Sequence, residues 1–448
     1  MILKGDKKII RGWVMYDWAN SVYNLVISSS IFPIFYENQT RNVYAEKHHL
    51  IAENVNPNDV TVDFFGITVS PSVIYSLTLS LSFLIVTFLS PLLSGIADYT
   101  GTKKKFLRFF CYLGSLSAMS LFFFDAHHIE FGLLSILLAS VGFWDSLVFY
   151  NAFLPEIAEP EDQDRVSARG FIMGYLGSML LLLICLGIIM GIDSAYTKYS
   201  FLLVGIWWIG FSQLTYRVLP NNVYNKQPES GYIWRGFREL KLVYSAFKRT
   251  NRLKKYLVSF FFFNTGVQTV MLMATVFAAK AIEWPEKSGT KGLIVAVLLI
   301  QLLGAIGAKL MSIIAIKLNN IRALMISVGI WICICIWAFF IHQPIEFYGL
   351  AACVGLVMGG VQAVARSTYS KYLPETTNHA SYFSFYDVTE KIGIVFGTAF
   401  FALTEYVFND IRFSVFSVCL FFVIGFLSLF FIPNNEVELK FNTTQPEI

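Results

Sequence analysis

Charge is the property that this sequence has least of. Only 14% of its 448 residues are Asp, Glu, Lys or Arg, whereas soluble domains average about 25%. There are only six cysteines, all within apolar runs, and their spacing fits neither a metal site nor a disulfide framework. The sequence has no phosphate-binding loop of the Walker type and no HExxH zinc motif. These absences argue against a soluble enzyme, a metalloenzyme and a self-contained ATP-driven pump, and we expect no metal and no cofactor.

Long hydrophobic runs make up most of the chain. Apolar residues account for 56% of it, and phenylalanine alone occurs 43 times. A helix needs about 20 apolar residues to cross a bilayer. We predict an all-α polytopic membrane protein with about twelve transmembrane helices, detected with a window of about 19 residues. The predicted spans are 12–36, 71–97, 106–125, 130–152, 168–191, 199–219, 257–282, 291–316, 322–342, 346–366, 382–408 and 411–433.

The loops between these spans alternate in charge. Basic residues collect in one set of short loops, and acidic residues and histidines collect in the other. Because cytoplasmic loops are enriched in Lys and Arg, the alternation predicts that both termini are cytoplasmic. The net charge of +4 arises in these loops, so we expect no nucleic-acid partner. The basic loop residues are Lys103, Lys104, Lys105, Arg108, Arg165, Arg169, Lys317, Arg322, Arg366 and Lys371.

Two features divide the chain into halves. The segment 220–256 is polar and basic, and its apolar residues recur at spacings of three and four, which predicts an amphipathic linker helix that touches the inner membrane surface. The heptapeptide YNAFLPE at 150–156 returns as YSKYLPE at 369–375, which predicts two pseudo-symmetric six-helix bundles. The expected domains are an N-terminal bundle at 1–219, the linker at 220–256, a C-terminal bundle at 257–436 and a cytoplasmic tail at 437–448.

A short basic loop, SGIADYTGTKKK at 94–105, joins the second and third spans. Its acid, turn glycine and basic pair are Asp98, Gly101, Lys103 and Lys104. This order resembles the D-x-x-G-x-[RK]-[RK] motif of the major facilitator superfamily, which lies in the same loop. The alternative interpretation is a generic cytoplasmic loop with basic residues. The resemblance implies two bundles that hold a solute between them near the middle of the bilayer.

Asp98 is the centre of a predicted gate. A carboxylate at the inner end of the second span can accept hydrogen bonds from the free amides at the start of a facing helix, helped by the helix dipole. We expect the facing helix to be the eleventh span, with Arg165 adding a charge pair. Together with Gly101, Lys103 and Lys104, these residues form the predicted gating set, which would hold the outward-open state.

Further runs carry a second resemblance, among them YDWANSVY at 16–23, YNAFLP at 150–155 and GVQA at 360–363. They resemble motifs of the vacuole-effluxer family, a branch of this superfamily that includes the fungal autophagy-related vacuolar amino-acid exporter and bacterial members. The resemblance implies export of amino acids or similar small solutes. It leaves the coupling ion open, because Thr265 replaces an acid of the family's NDGxQT motif and the fourth span lacks the arginine of proton-driven drug exporters. The matching runs are YDWANSVY at 16–23, YNAFLP at 150–155, RVS at 165–167, GYLG at 174–177, GVQA at 360–363, Arg366 with Ser367, and FSFY at 383–386.

Polar side chains within the spans are candidates for solute contact. An ionisable group inside a membrane helix needs a partner or an aqueous lining. In the superfamily the first, fourth, seventh and tenth spans line the cavity, and the resemblance carries this role to residues of the same spans here. The alternative is that these side chains only hold helices together through hydrogen bonds. The predicted solute-binding residues are Asp17, Asn20, Asn24, Asp145, Asn151, Gln268 and Gln362.

Three charged residues early in the eleventh span suggest proton coupling. Asp387, Glu390 and Lys391 share one helical face, and an acid four residues before a lysine is the favourable order for an ion pair. We therefore predict that Asp387 pairs with Lys391 and that Glu390, without a partner in this triplet, carries the coupling proton. The alternative is that this end of the span lies among the lipid headgroups, where all three stay hydrated.

These patterns favour a secondary transporter that moves a small polar solute by alternating access, with export as the expected direction and the proton as the candidate coupling ion. A transport-inactive sensor or scaffold with a transporter fold is one alternative, and an integral-membrane enzyme is another. The expected partners are the solute and the lipid bilayer. We expect a monomer in a bacterial inner membrane rather than in a vacuolar membrane.

Overall fold

The computed structural model describes residues 4–56, 59–224, 226, 231–285 and 289–433. The chain forms helices joined by short connections, with one small β-hairpin. Within the described ranges, ten helices are long and apolar enough to cross a membrane, and the protein is a multi-pass membrane protein. The predicted tail at 437–448 lies outside the described residues.

The first helical segment is longer than predicted. Helix α1 (Lys7–Val22) continues through a π-helical stretch, Tyr23–Ile31, into α2 (Phe32–Lys47). The predicted span 12–36 therefore gains residues at both ends, because a hydropathy window detects only the apolar part of a helix. Strands β1 (Val62–Phe64) and β2 (Ile67–Val69) form an antiparallel hairpin in the connection that follows.

The remaining helices occupy the predicted positions within several residues. The first half of the chain, which starts with α1 and α2, also contains α3 (Pro71–Thr100), α4 (Lys103–Ser120), α5 (Ile129–Asn151), the short α6 (Leu154–Ile157), α7 (Gln163–Gly191) and α8 (Thr197–Val218). Helix α9 (Tyr232–Arg249) lies in the linker. The second half contains α10 (Asn251–Ala281), α11 (Gly289–Leu318), α12 (Asn320–Phe340), α13 (Pro344–Lys371), α14 (His379–Phe408) and α15 (Ile411–Leu429).

Helix packing in the first half is repeated in the second. Helix α1 packs against α7 and α8, as α10 packs against α14 and α15. Helix α5 packs against α3 and α4, as α13 packs against α11 and α12. The halves meet where α7 touches α11 and α13 and, symmetrically, where α14 touches α3 and α5. The structure therefore has two pseudo-symmetric helical bundles.

The linker helix α9 packs on the first half. Gly236 lies so close to α3 that a Cβ atom there would come within 2.9 Å of the backbone of Ile96. The predicted apolar face is divided, since Phe247 is half-buried whereas Phe237 and Tyr244 are exposed. The helix is amphipathic, as predicted. Its close approach to α3 is at Gly236, whereas the rings of Tyr244 and Phe247 lie beside Phe385 of α14, with centroids 6.1 and 5.6 Å away.

The bundle has two ends, named here after the elements next to them. The linker side is the end where α3 and α5 finish and α7 and α14 begin, and the N-terminal segment is tied there by a hydrogen bond from Gly5 N to Ile157 O, 2.8 Å. The hairpin side is the opposite end, where β1 and β2 lie. Hydrogen bonds between the halves cluster on the linker side and near the middle of the helices, as described below.

Candidate functional site

A cavity of about 260 Å³, lined by both apolar and polar side chains, lies between the two halves. It extends from Arg366, near the linker side, to Ser30, Leu293 and Phe347, toward the hairpin side. The π-helical stretch of the first span contributes Ser29 and Ser30 to its wall. Besides the four spans expected from the sequence, α7, α11 and α14 also line the cavity.

Six of the seven predicted solute-binding residues line this cavity. Several polar atoms there have no partner among the described residues, including Nδ2 of the buried Asn20 and Oε1 of Gln301. Buried polar groups are nearly always hydrogen-bonded, so these atoms are available to a solute or to water. The six residues are Asp17, Asn20, Asn24, Asn151, Gln268 and Gln362.

Asp145 does not line the cavity, so the structure does not place it with the other predicted solute-binding residues. It is fully buried on the face of α5 that meets α3, where Ser90 Oγ donates to Asp145 Oδ1 over 2.5 Å. Its neighbour Trp144 faces the cavity instead. Consecutive helical residues point about 100° apart, so the choice between these two neighbours depends on the rotation of α5, which the sequence pattern did not resolve.

The floor network closes the linker-side end of the cavity. It consists of Asp17, Tyr150, Asn151 and Ser167 from the first half and Arg366 from the second. Asp17 Oδ2 accepts hydrogen bonds from Tyr150 Oη at 2.8 Å and from Arg366 Nη2 at 3.2 Å. Arg366 also donates to Asn151 Oδ1 at 3.3 Å and to Ser167 Oγ at 2.9 Å. These contacts join the halves across a buried ion pair.

Arg366 was assigned from its sequence position to a cytoplasmic loop, and that assignment is wrong. It lies inside α13, is only 3% exposed, and its guanidinium carbon sits 4.3 Å from the ring centroid of Phe171. The sequence did contain a signal for this position, because Arg366 is the last residue of a predicted apolar span and belongs to one of the motif runs. An arginine placed in this way is expected to have a partner inside the membrane. Gly170 leaves room for the pair, because a Cβ there would lie 2.8 Å from Arg366 Nη2.

The acid cluster is a second buried group, formed by Asp145, Asp387, Glu390 and Lys391. Lys391 Nζ donates to Asp387 Oδ1 at 2.9 Å, which is the ion pair expected from the sequence. The ammonium also lies 3.5 Å from the ring centroid of Trp144, which faces the cavity. Three carboxyl groups share a single ammonium group, and burial makes uncompensated charge costly.

Glu390 is the member of the acid cluster that reaches the cavity. It has partners, contrary to the prediction: Gln268 Nε2 donates to Glu390 Oε1, and Lys391 Nζ lies 3.8 Å from Glu390 Oε2. The alternative of a hydrated headgroup position does not fit, because the side chains of Lys391 and Asp387 are 0% and 7% exposed.

Asp98 lies where the gate was predicted. It is 1% exposed at the end of α3 and accepts hydrogen bonds from the first amides of α14, Ala380 N at 3.2 Å and Ser381 N at 2.7 Å. Lys226 Nζ donates to the backbone oxygen of Asp98 at 2.6 Å. Burial lowers the pKa of the Lys226 ammonium, and the Asp98 carboxylate opposes that shift. The linker thus contributes to the same junction.

The other members of the predicted gating set occupy different positions around Asp98. Gly101 ends α3 in the left-handed conformation, with φ of +69°. Lys103 is buried and forms an ion pair with Glu156. Lys104 Nζ donates to the backbone oxygen of Leu219 at 2.7 Å, which ties the loop to the end of α8.

Glu156 and His379, which the gating prediction did not include, form a further contact between the halves on the linker side. His379, the first residue of α14, lies with Nδ1 2.9 Å from Oε1 of the buried Glu156. Glu156 therefore connects Lys103 in the first half with His379 in the second. Glu156 is the last residue of the first copy of the repeated heptapeptide, so the sequence drew attention to it. Its partner His379 is distant in the chain, and the sequence did not predict their contact.

Arg165 does not join the gate. It is exposed, and its Nη1 atom lies 3.4 Å from Oδ1 of Asp162, one turn earlier in the chain. Its neighbour Asp164 points inward and makes the cross-half contact instead. Lys371 Nζ lies 2.5 Å from Asp164 Oδ2, and Asn320 Nδ2 donates to Asp164 Oδ1 at 2.6 Å. This contact is the pseudo-symmetric counterpart of the α3–α14 junction.

Comparison with known sequences identifies similar proteins over almost the whole chain. The model of the family described as vacuole effluxer Atg22 like matches residues 5–438. An uncharacterized MFS-type transporter of Bacillus subtilis (strain 168), YxiO, is 29% identical over 444 residues, which cover 97% of each chain. Autophagy-related protein 22 of Coccidioides immitis (strain RS) is 24% identical over 513 residues, covering 91% of this chain and 83% of the relative.

Solved structures show the same fold at low sequence identity. A bacterial homologue of the iron transporter ferroportin, in an outward-facing state, has a TM-score of 0.65 at 14% identity and covers 96% of this chain and 99% of its own. The major facilitator transporter FucP, in an outward conformation, has a TM-score of 0.66 at 11% identity, with the same coverage. The proton:xylose symporter XylE has a TM-score of 0.67 at 12% identity and covers 95% of each chain. The predicted major facilitator fold is confirmed, and these neighbours are transporters rather than enzymes.

Proposed function

Because the chain belongs to the family of Atg22-like vacuole effluxers, we propose that it exports a small polar solute, an amino acid or a similar compound, by alternating access. The observation that carries this proposal is the cavity between two pseudo-symmetric halves, which contains polar and charged side chains and is closed on the linker side by contacts that cross between the halves. A cavity in this position becomes accessible from either side in turn when the halves rock.

The orientation follows from charge. The linker side carries the basic loops and the linker, so we assign it to the cytoplasm. Both termini then lie in the cytoplasm, and the structure corresponds to an outward-facing state. A bacterial inner membrane suits this assignment, and the B. subtilis relative supports a bacterial setting. Export as the direction rests on the family description.

The chemistry of the cavity supports a small polar solute. Ionisable groups stand at two places, the Asp17–Arg366 pair in the floor and Glu390 on the wall, and the lining also contains amides such as Asn20 and Gln362. Aromatic side chains, including Trp144, supply apolar contact area. A solute with polar ends and a short apolar body fits such a lining.

Proton coupling is assigned to the acid cluster. With all groups ionised, its three carboxylates would face one ammonium group in a site with almost no solvent contact. A bound proton relieves this imbalance. The groups facing Glu390 are Lys391 and Asp387 on its own helix, and Asn264 and Gln268 from α10. Since Glu390 also lines the cavity, we assign the exchangeable proton to it.

The test of transport uses the full-length purified chain in proteoliposomes. Uptake of radiolabelled L-amino acids, D-glucose and uridine is measured with and without solute inside the vesicles. We expect saturable uptake of an amino acid that accelerates with the same solute inside. Asn20→Leu, Asn151→Leu and Gln362→Ala should raise the apparent KM, whereas the control Asn38→Ala, at an exposed position of α2, should not. No uptake of any compound, or an unchanged KM in all three cavity variants, would contradict the proposal.

The test of coupling compares Glu390→Gln with Glu405→Gln. Both acids lie on α14, but Glu405 pairs with Lys280 near the hairpin side, at 2.7 Å. Glu390→Gln should lose the acceleration produced by a pH gradient while keeping solute exchange without a gradient. Glu405→Gln should behave like the wild type. A full response to the gradient in Glu390→Gln would move the coupling site elsewhere.

A further inference from the structure

Arg366 differs from the other polar residues of the cavity in where its partners lie. It belongs to α13 in the second half, and the acceptors of its hydrogen bonds all belong to the first half. The floor network also includes a bond from Arg366 Nη2 to Ser167 O at 2.8 Å. Among the described residues, its guanidinium therefore donates only to groups that must move away from it when the linker side opens.

Separation of the halves removes Arg366 from its hydrogen-bond acceptors, which has a free-energy cost. A buried guanidinium that loses its carboxylate partner is strongly unfavourable. Asp17 is less affected, because Tyr150 Oη in its own half continues to donate to Oδ2 at 2.8 Å. The cost of breaking the floor network therefore falls on Arg366, and it is lowered by any group that brings replacement acceptors.

A solute in the cavity can supply replacement acceptors for Arg366. Arg366 and Asp17 both line the cavity, so a bound solute reaches the pair directly. A carboxylate has two oxygens at the spacing of the guanidinium fork and can form two parallel hydrogen bonds with it. A neutral hydroxyl or amide offers a weaker acceptor and no charge.

Resting on the proposed transport function, we propose that Arg366 determines solute specificity by binding a carboxylate of the solute, which takes the place of Asp17 and releases the floor network. A bound solute then lowers the free-energy cost of changing between the closed and the open linker side, in either direction, which links its recognition to the conformational change. Asp17 acts as the resting partner of Arg366, and Tyr150 holds Asp17 when the exchange occurs.

The specificity test uses matched compounds in proteoliposomes. The L-amino acid taken up fastest by the wild type competes with its own α-carboxamide, which differs only in the carboxylate. We expect the carboxamide to compete about tenfold more weakly or worse, as loss of a charge-assisted bidentate contact implies. Arg366→Lys should reduce this ratio, because an ammonium group lacks the planar fork. The control Arg165→Lys changes an exposed arginine on the same side and should keep the ratio.

The variant Asp17→Asn supplies a second readout, the accessibility of a reporter cysteine on the linker side. This readout does not require that a variant of Arg366 folds. The substitution retains the shape of the side chain and weakens the resting ion pair, so linker-side accessibility of a reporter cysteine should rise without solute. Equal competition by the carboxamide, preferred uptake of D-glucose or uridine, or unchanged accessibility in Asp17→Asn would overturn this inference while transport itself stands. No uptake of any compound would overturn the proposed function and this inference together.

Discussion

The hydrogen bonds of Asp98 allow a quantitative prediction for the gate. This carboxylate accepts two backbone amides of α14, at 3.2 and 2.7 Å, in a buried position. Hydrogen bonds to a charged group contribute about 1.5–3 kcal/mol each, and the helix dipole adds up to about 2 kcal/mol in partly buried sites. Asp98→Asn keeps one acceptor oxygen but loses the charge. We expect the closed linker side to lose about 2 kcal/mol, a shift of roughly thirtyfold in the ratio of open to closed protein.

The assay is cysteine accessibility in a background without the six native cysteines. Ala168→Cys reports on the linker side, because Ala168 is buried in a cluster that joins the halves. Ser30→Cys reports on the opposite end of the cavity. In Asp98→Asn, labelling by a membrane-impermeant thiol reagent should rise at the first position and fall at the second. The control Asp162→Asn removes an exposed acid that pairs only with its helical neighbour Arg165.

Unchanged labelling at both positions in Asp98→Asn would refute the reasoning. So would an equal change in Asp162→Asn, because that result would attribute the effect to the surface charge of the linker side rather than to the contact with α14.

Three further predictions concern the cavity and the contacts between the halves. Gln362→Asn should raise the apparent KM several-fold, because the shorter side chain loses the hydrogen bond from Tyr175 Oη at 2.9 Å; an unchanged KM in uptake kinetics would count against it. Asp164→Asn should raise linker-side labelling by about tenfold, since the carboxylate pairs with Lys371 across the halves; labelling at the wild-type level would show that this contact is dispensable. Gly170→Ala crowds the floor network and should destabilise the protein by about 1–3 kcal/mol, and a thermal unfolding midpoint equal to that of the wild type would contradict the close approach.

Features that depend on short-range periodicity were predicted correctly. Apolar runs of span length appear directly in the sequence, and helices formed at these places because a membrane helix satisfies its own backbone hydrogen bonds. The Asp387–Lys391 ion pair was predictable for the same reason, since a separation of four residues brings side chains together on any helix. Periodicity alone did not predict the contact of Asp98 with the start of α14. That prediction also used the resemblance of the Asp98 loop to a known motif.

Features that depend on how helices rotate and meet were decided by the tertiary structure alone. Asp145 and Trp144 are adjacent in the sequence, yet the rotation of α5 buries one against α3 and turns the other into the cavity. Arg366 and Asp17 are 349 residues apart, and no periodicity connects them. Their pairing arises only when α13 and α1 approach from opposite halves. The sequence by itself therefore determined where the helices lie and the ion pair within α14, because each depends on residues near one another in the chain, and it showed the repeat, because similar segments can be recognised without knowing their contacts. The tertiary structure decided which polar groups share the floor network and the acid cluster, because those depend on how helices from the two bundles are placed relative to each other.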